Sequence, residues 1–167
     1  RRGVPLPPVC TIPPPASSFP PPWGGGSRCN GQPVQVSRQR HLQGASALAS
    51  HSESRRGEWE RFKGELIVTP MGSIAYKLAR VAAGHFDLTF TLTPKNEWDF
   101  CAGTLLLQEA GGSVTHKEGQ PCCFNQKDPR VLSVLASNGR VHDALLAYLE
   151  RVPLSPDRQA VHCSAPP

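Results

Sequence analysis

The stretch NEWDFCAG, residues 96–103, decides how the middle of this chain is organised. It places the carboxylate of Asp99 directly after the large ring of Trp98, at the start of a helix predicted to continue to Gly111. Asp is favoured at such a position because its oxygens accept free backbone N–H groups and because the positive end of a helix attracts negative charge. The simplest interpretation of Asp99 is therefore a helix cap.

A second interpretation of Asp99 is functional. In this arrangement the carboxylate can bind a cation, and the free N–H groups of the first helical turn beside it can bind an anion. Mg²⁺ takes carboxylate and phosphate oxygens, so a metal-bridged phosphate site needs this combination. The residue types leave both interpretations of Asp99 open.

A second helix is predicted upstream, between Ser73 and Gly84. Ser73 suits the N-cap and Gly84 suits the position after the last turn. The apolar residues between them keep the spacing of one buried face: Ile74, Leu78, Val81 and Ala82. Lys77 lies on the same helix, and its residue type favours a solvated surface position.

The segments around these helices predict strands. Three apolar residues alternate with three Thr over residues 87–93, which predicts a strand with one apolar and one polar face. Apolar runs predict further strands over residues 45–50, 65–69, 113–116 and 131–136. Asn138 is predicted to cap a last helix, whose buried side would carry Val141, Ala144, Leu145, Tyr148 and Val152. His116 and His142 have no partner spacing, so both are predicted at the surface.

Composition sets the limits of the foldable part. Half of the 18 prolines lie within the first 22 residues, where they remove backbone donors and prevent a packed core. We therefore predict a disordered Pro/Gly-rich arm over residues 1–30, an α/β subdomain over residues 31–152 and a loose tail over residues 153–167.

Charge and cysteine content restrict the partners and the compartment. A net charge of +5 suits an anionic substrate, but no basic-aromatic module indicates nucleic acid. No apolar run approaches the roughly 18 residues of a membrane span. The six Cys lack zinc spacing, so free thiols and a cytoplasmic location are expected.

The two helical segments together resemble a known family. The run EWDFCAG, followed by LLLQEAGG at residues 105–112, is similar to the C-terminal signature of the inositol monophosphatase family, which is Trp-Asp-x-x-Ala-Gly, an apolar run and Glu-Ala-Gly-Gly. Upstream, GSIAYKLARVAAG at residues 72–84 resembles the family's Gly-Ser helix, with Asp87 where an Asp commonly follows. The resemblance runs from about Gln32 to about Val152.

This resemblance implies a fold, an activity and site residues. The fold is α/β, the C-terminal half of a layered αβαβα sugar-phosphatase sandwich. The activity is Mg²⁺-dependent hydrolysis of a small phosphate monoester, in which the metal lowers the pKa of a bound water and neutralises charge on the leaving oxygen. By resemblance, Asp99 is a magnesium ligand at the substrate, and Gly72 and Ser73 contact the substrate. Lys77 is a further substrate-binding candidate.

The chain also departs from the family pattern. The family's Glu-bearing helix and its Asp-Pro-x-Asp-Gly-Thr turn are both absent, and Asp128-Pro129 lacks the rest of that turn. Mg²⁺ needs several oxygen ligands, so we expect a fragment without turnover and assign no catalytic residue. Inositol-phosphate enzymes carry an acidic residue seven positions before the motif Asp, where this chain has Leu92. Inositol phosphate, a sugar phosphate and a 3′(2′),5′-bisphosphate nucleotide all stay open as substrates.

Two partner hypotheses accompany this interpretation. Arg2, Pro5 and Pro8 fit an SH3-ligand pattern, which favours the alternative of a non-catalytic interaction protein. A half-sandwich would also expose an apolar face, so self-association or a homodimer is expected.

Overall fold

The computed structural model describes residues 25–152 and, as backbone, residues 10–11. The strands are β1 Cys10–Thr11, β2 Arg28–Cys29, β3 Gln32–Pro33, β4 Ala45–Ala49, β5 Leu66–Pro70, β6 Leu88–Thr91, β7 Lys95–Asn96, β8 Ser113–Thr115, β9 Arg130–Val131 and β10 Val134–Ser137. The helices are α1 His51–Arg55, α2 Ile74–Ala82, α3 Cys101–Glu109 and α4 His142–Glu150, with 3-10 turns at Glu60–Phe62 and Glu97–Asp99.

A five-stranded sheet in the order β5-β4-β6-β10-β8 forms the centre of the fold. Strand β4 pairs in parallel with β5 on one side and with β6 on the other. Strand β10 is antiparallel to both β6 and β8. The chain passes from β4 to β5 and then returns across β4 to β6, so the strand order reverses at β4.

Helices and turns cover both faces of this sheet. On one face, α4 and the 3-10 turn at Glu60–Phe62 pack against β4 and β6, and the Trp59 ring stacks on Phe90 with centroids 4.1 Å apart. On the other face, α2 and α3 pack against β10 and β8. The two helices touch at Gly103, where an added Cβ would lie 2.7 Å from Leu78 Cδ1. The layered α/β fold predicted from the sequence is confirmed.

The predicted helices α2 and α3 are confirmed, and the prediction of a polar face on strand β6 is corrected. Helix α2 ends before Gly84, which has a φ of +72°. Strand β6 has no solvent face, because Thr89 and Thr91 are as buried as Leu88 and Phe90. The Thr89 hydroxyl donates to the Leu48 carbonyl at 2.8 Å, which satisfies it in the interior.

His142 was predicted at the surface, and this was wrong. It is 5% exposed and its ring lies between two hydroxyls, with Thr115 Oγ1 at 2.9 Å from Nε2 and Ser137 Oγ at 2.9 Å from Nδ1. Thr115 Oγ1 already donates to the His116 carbonyl, so it accepts from Nε2–H, and Nδ1 accepts from Ser137. Burial accordingly lowers the pKa of His142. Ala144, predicted on the buried side of α4, is exposed.

Residues 25–30, which belong to the predicted N-terminal arm, contact helix α3. The Gly26 N–H donates to Glu109 Oε2 at 3.0 Å, and the Ser27 hydroxyl donates to the Leu106 carbonyl at 2.6 Å. The backbone of Cys10–Thr11 pairs with β2. The remaining predicted arm residues and the predicted tail at 153–167 lie outside the described part of the chain.

Two smaller expectations concern thiols and membranes. No disulfide joins Cys29, Cys101, Cys122 and Cys123 to one another. Within residues 25–152, no helix combines the length and the apolar character needed to cross a bilayer.

Candidate functional site

The carboxyl ends of the three parallel strands meet at one edge of the sheet. Ser50 and α1 follow β4, the turn at residues 71–73 follows β5, and residues 92–95 follow β6. Ligands in such sheets bind outside the carboxyl ends of strands, at the strand where the order reverses. This edge beside β4, named the β4 crevice here, is therefore the candidate site.

The turn after β5 presents the N-terminus of α2 to the β4 crevice. Ser73 caps the helix by accepting the Tyr76 N–H at 3.3 Å, and it does so at a φ of 58°, which non-glycine residues rarely adopt. The N–H groups of Ile74 and Ala75 make no hydrogen bond to any other described residue. Unpaired amides at the positive end of a nine-residue helix attract an anion. Gly72 lies exposed beside these two amides. A Cβ added to Gly72 would lie 3.9 Å from His51 Cδ2.

Asp99 has an exposed carboxylate on the 3-10 turn that precedes α3. Its side chain accepts the Asn96 N–H at 3.4 Å, which closes a capping box on this turn, while Phe100 occupies the N-cap of α3. The cap interpretation thus holds for the short turn and not for the long helix. Because the one bond is long and the carboxylate faces solvent, oxygen lone pairs stay open to a cation.

Glu53 lies just beyond β4 and is 1% exposed. Its Oε1 accepts the Thr91 hydroxyl at 2.5 Å, and its Oε2 accepts the Trp59 indole N–H at 3.2 Å. Lys95 Nζ lies 3.9 Å from Glu53 Oε1. These contacts hold a buried carboxylate just beyond the carboxyl end of β4.

Lys77 was expected to be solvated if it had no function, yet it is 2% exposed. Its ammonium makes no hydrogen bond or ion pair with any residue of the 25–152 segment. Burial lowers the pKa of Lys77; the attraction of Glu53 opposes this shift and the repulsion of Lys95 adds to it.

The predicted site residues lie on or next to two helices that pack against each other, α2 and α3. Ser73 and Lys77 lie on the first turns of α2, and Asp99 precedes α3, which packs on α2 through Gly103. Sequence reasoning missed Glu53, Thr91 and Lys95. The available signal was a carboxylate, Glu53, four residues after the buried strand β4.

The described residues contain no group of three or more His, Cys, Asp or Glu side chains that could hold a metal ion. Outside them the sequence adds a single acidic side chain, Asp157. Mg²⁺ is held by several oxygens, so Asp99 fits one ligand of such a site and not the whole of it.

The sequence is similar to one family of proteins. The sequence profile described as the Inositol monophosphatase family matches residues 2–154. A chloroplastic phosphatase of Arabidopsis thaliana is 34% identical over 131 residues, 74% of this chain and 34% of that protein. An inositol-1-monophosphatase of Bacillus subtilis is 43% identical over 76 residues, 44% of this chain and 26% of the bacterial protein. A fructose-1,6-bisphosphatase/inositol-1-monophosphatase of Thermotoga maritima is 28% identical, covering 77% of this chain and 49% of the relative.

Solved structures give the same result. An inositol monophosphatase from Anabaena superposes with a TM-score of 0.65 at 31% identity, over 77% of this chain and 52% of that chain. A Staphylococcal IMPase-II superposes with a TM-score of 0.67 at 22% identity, over 78% of this chain and 51% of that one, which is a likeness of fold alone. The chain therefore spans between about a quarter and about a half of the lengths of these proteins.

Proposed function

The chain belongs to the inositol monophosphatase family, and on that premise we propose that residues 25–152 recognise a small phosphate monoester in the β4 crevice. The N-terminus of α2 carries this proposal. Its Ile74 and Ala75 N–H groups have no partner among the described residues, and the strained Ser73 fixes their direction. Backbone strain of this kind costs about 1–3 kcal/mol and concentrates at ligand sites.

Each proposed site residue has a distinct part in recognition. Gly72 leaves room for the substrate at the turn, and Ser73 with the two following amides donates hydrogen bonds to its oxygens. The buried ammonium of Lys77 adds positive charge. Asp99 provides one ligand of a magnesium ion, which would polarise the phosphate when bound; residues 25–152 group no three His, Cys, Asp or Glu side chains that could complete its coordination.

Substrate binding tests the proposal through backbone amide shifts. Inositol 1-phosphate titrated with Mg²⁺ into the ¹⁵N-labelled chain should shift the Ile74 and Ala75 amides. Ser73→Gly keeps the positive φ and removes one donor, so affinity should fall about tenfold. Unmoved amides at residues 74 and 75 under millimolar ligand would reject the proposal.

The role of Asp99 is tested separately. Asp99→Asn should abolish the effect of Mg²⁺ on binding, because a neutral amide is a poor ligand for a hard cation. Asp143→Asn is the matched control, since Asp143 is an exposed carboxylate on α4. Equal Mg²⁺ dependence in both variants would remove Asp99 from the metal site.

We expect the purified chain to hydrolyse no phosphate monoester above background. A single carboxylate ligand does not retain a catalytic Mg²⁺ cluster. A Mg²⁺-dependent release of inorganic phosphate, lost in Asp99→Asn, would contradict this expectation.

The choice of substrate stays among three classes. The names of the relatives include inositol phosphates and a sugar bisphosphate, and one related structure is described with bound 2′AMP. Competition between inositol 1-phosphate, a fructose phosphate and adenosine 2′-phosphate at the shifted amides would rank them. A cytoplasmic location also stays a prediction.

The alternative of a non-catalytic SH3 ligand rests on Arg2, Pro5 and Pro8, which lie outside the described residues. No described residue favours it. A pull-down of SH3 domains with residues 1–30 tests it directly. Self-association likewise stays a prediction, to be checked by size-exclusion chromatography.

A further inference from the structure

We propose that a cavity on the face of α2 that points away from the central sheet binds a small carboxylate with an apolar ring. Arg80 binds the carboxylate group, and the apolar walls contact the ring. The cavity is separate from the β4 crevice, so this inference does not depend on the proposed function. Its ligand class is an amphipathic monoanion of about the size of benzoate.

The cavity lies between α2, α3 and strand β2 and has a volume of about 180 Å³. Leu78 and Val81 of α2 are fully buried on the face towards the sheet. Cys29 from β2 and Leu106 from α3 contribute to the walls. Four further residues follow the three- and four-residue spacing of the opposite face of α2: Tyr76, Ala79, Arg80 and Ala83.

Arg80 is the residue that indicates a charged ligand. Its Nε is inaccessible to water and has no hydrogen-bond partner in the described part of the chain. Its guanidinium carbon Cζ lies 5.6 Å from the centroid of the Phe86 ring, and α2 contains no acidic residue to pair with it. The negative end of α2 attracts the charge but gives Nε no acceptor. Because a donor without an acceptor and without water is unfavourable, a carboxylate in the cavity would supply what the guanidinium lacks.

The walls indicate an apolar group on the same ligand. Apolar atoms make up most of the cavity surface, with Ala79, Ala83 and Leu106 among their sources. A buried water needs about two to four polar partners, so this part of the cavity favours an apolar group over water. A cavity of roughly 150 Å³ accepts one benzene molecule. A volume of about 180 Å³ therefore suits a single ring.

The donors of the cavity favour a carboxylate over a phosphate. The planar fork of an arginine matches the two oxygens of a carboxylate. The Tyr76 hydroxyl makes no hydrogen bond to any residue of the 25–152 segment and is a further donor for one of these oxygens. A phosphate dianion carries a second charge, and no lysine or second arginine lines the cavity to balance it.

Benzoate titrated into the ¹⁵N-labelled full chain tests this site. The amides of Ala79, Ala83 and Leu106 should shift with a dissociation constant of about 1 mM or lower. Benzamide has nearly the same shape and no charge, so it should bind at least about tenfold more weakly. Acetate keeps the charge and lacks the ring, and it should also bind at least about tenfold more weakly.

Variants of Arg80 assign the preference for a charged ligand. Arg80→Met removes the donors and should reduce the affinity for benzoate to about that for benzamide. Arg80→Lys should retain only part of the difference, because an ammonium is a point charge without the planar fork. Arg151→Met is the matched control, since Arg151 is an exposed arginine at the end of helix α4, and it should leave the affinity unchanged.

A second variant fills the cavity without changing its charge. Ala79→Leu places three further carbon atoms on the wall and should abolish benzoate binding, while the amide spectrum stays that of a folded chain. Ala144→Leu makes the same substitution at an exposed position of α4 and should keep benzoate binding.

The remaining outcomes decide between this site and its alternatives. Equal binding of benzoate and benzamide, or benzoate shifts that persist in both Arg80→Met and Ala79→Leu, would overturn the proposal. Inorganic phosphate that shifts the same amides at a lower concentration than benzoate would overturn the assignment of a carboxylate. Saturating inositol 1-phosphate should leave the benzoate affinity unchanged, and a loss of benzoate binding would overturn the separate cavity. An absence of benzoate shifts would overturn the cavity site and leave the proposed function standing.

Discussion

The two ends of strands β4 and β6 each carry a buried carboxylate, and the two carboxylates are neutralised differently. At the amino ends, Asp87 accepts hydrogen bonds from the Ser37 hydroxyl and from both the N–H and the hydroxyl of Ser46. Asn138 adds hydrogen bonds to Ser37 and to the Gln39 carbonyl. Every partner in this cluster is a neutral group of the fold.

At the carboxyl ends, Glu53 accepts hydrogen bonds from Thr91 and Trp59 and also lies 3.9 Å from the charged ammonium of Lys95. A network satisfied by its own chain contributes stability, whereas a buried cation without a partner lowers it. The difference is that neutral groups alone hold the Asp87 carboxylate, whereas a charged side chain lies beside the Glu53 carboxylate.

The largest expected effect comes from Asp87→Ala. This change leaves the Ser46 N–H and the O–H hydrogens of Ser37 and Ser46 without their acceptor beside a buried position. We expect a loss of about 3 kcal/mol in the free energy of unfolding, measured by urea denaturation. Asp128→Ala, which removes a surface carboxylate paired with Arg130, should change it little. Equal losses in the two variants would contradict the structural role of the Asp87 cluster.

A smaller effect of opposite sign is expected from Lys77→Met. Replacing a buried ammonium that lacks a hydrogen bond by an apolar chain of equal length should stabilise the free protein by about 1–2 kcal/mol. The pKa of Lys77 lies below its ordinary 10.5, so between the two values the unfolded chain binds more protons and wild-type stability rises with pH. The advantage of the variant should therefore shrink towards pH 10.5 in urea titrations. A destabilised variant at pH 7 would show that Lys77 is already compensated within the fold.

The smallest effect concerns His142, at the same end of the sheet as Asp87. Burial lowers its pKa below the ordinary 6.5, so the unfolded chain binds more protons in the window below that value. Stability should be full above pH 6.5 and fall as the pH decreases towards the lowered pKa. The urea midpoint at pH 7.5 and pH 5 measures this. His142→Gln should remove the acid-induced loss, and His41→Gln, at an exposed histidine, should keep it.

Local sequence signals predicted the elements that depend on neighbours along the chain. Ser73 and Gly84 marked the two ends of α2, and the alternating residues 87–93 marked β6. The burial of Thr91, Lys77 and His142 was not predictable from such local signals. Alternation and residue type report an average environment, whereas the burial of these side chains depends on helices that cover both faces of the sheet.

Some residues of the candidate site were predictable from the sequence, and others were found only in the structure. Gly72, Ser73, Lys77 and Asp99 came from motifs within two short segments of sequence. Glu53, Thr91 and Lys95 meet only because the parallel pairing of β4 with β6 brings their carboxyl ends together. No periodicity or spacing encodes a contact between residues about 40 positions apart.

The sequence by itself determined helices α2, α3 and α4, the five strands of the central sheet, the family and the exposed acidic residue beside Trp98, because caps, turns and hydrophobic periods act over a few residues. Only the tertiary structure decided which charges lie in the interior and which of them have partners. Burial and Coulomb interactions depend on distances between segments, and those distances exist only once the sheet has formed and its two helical layers are packed.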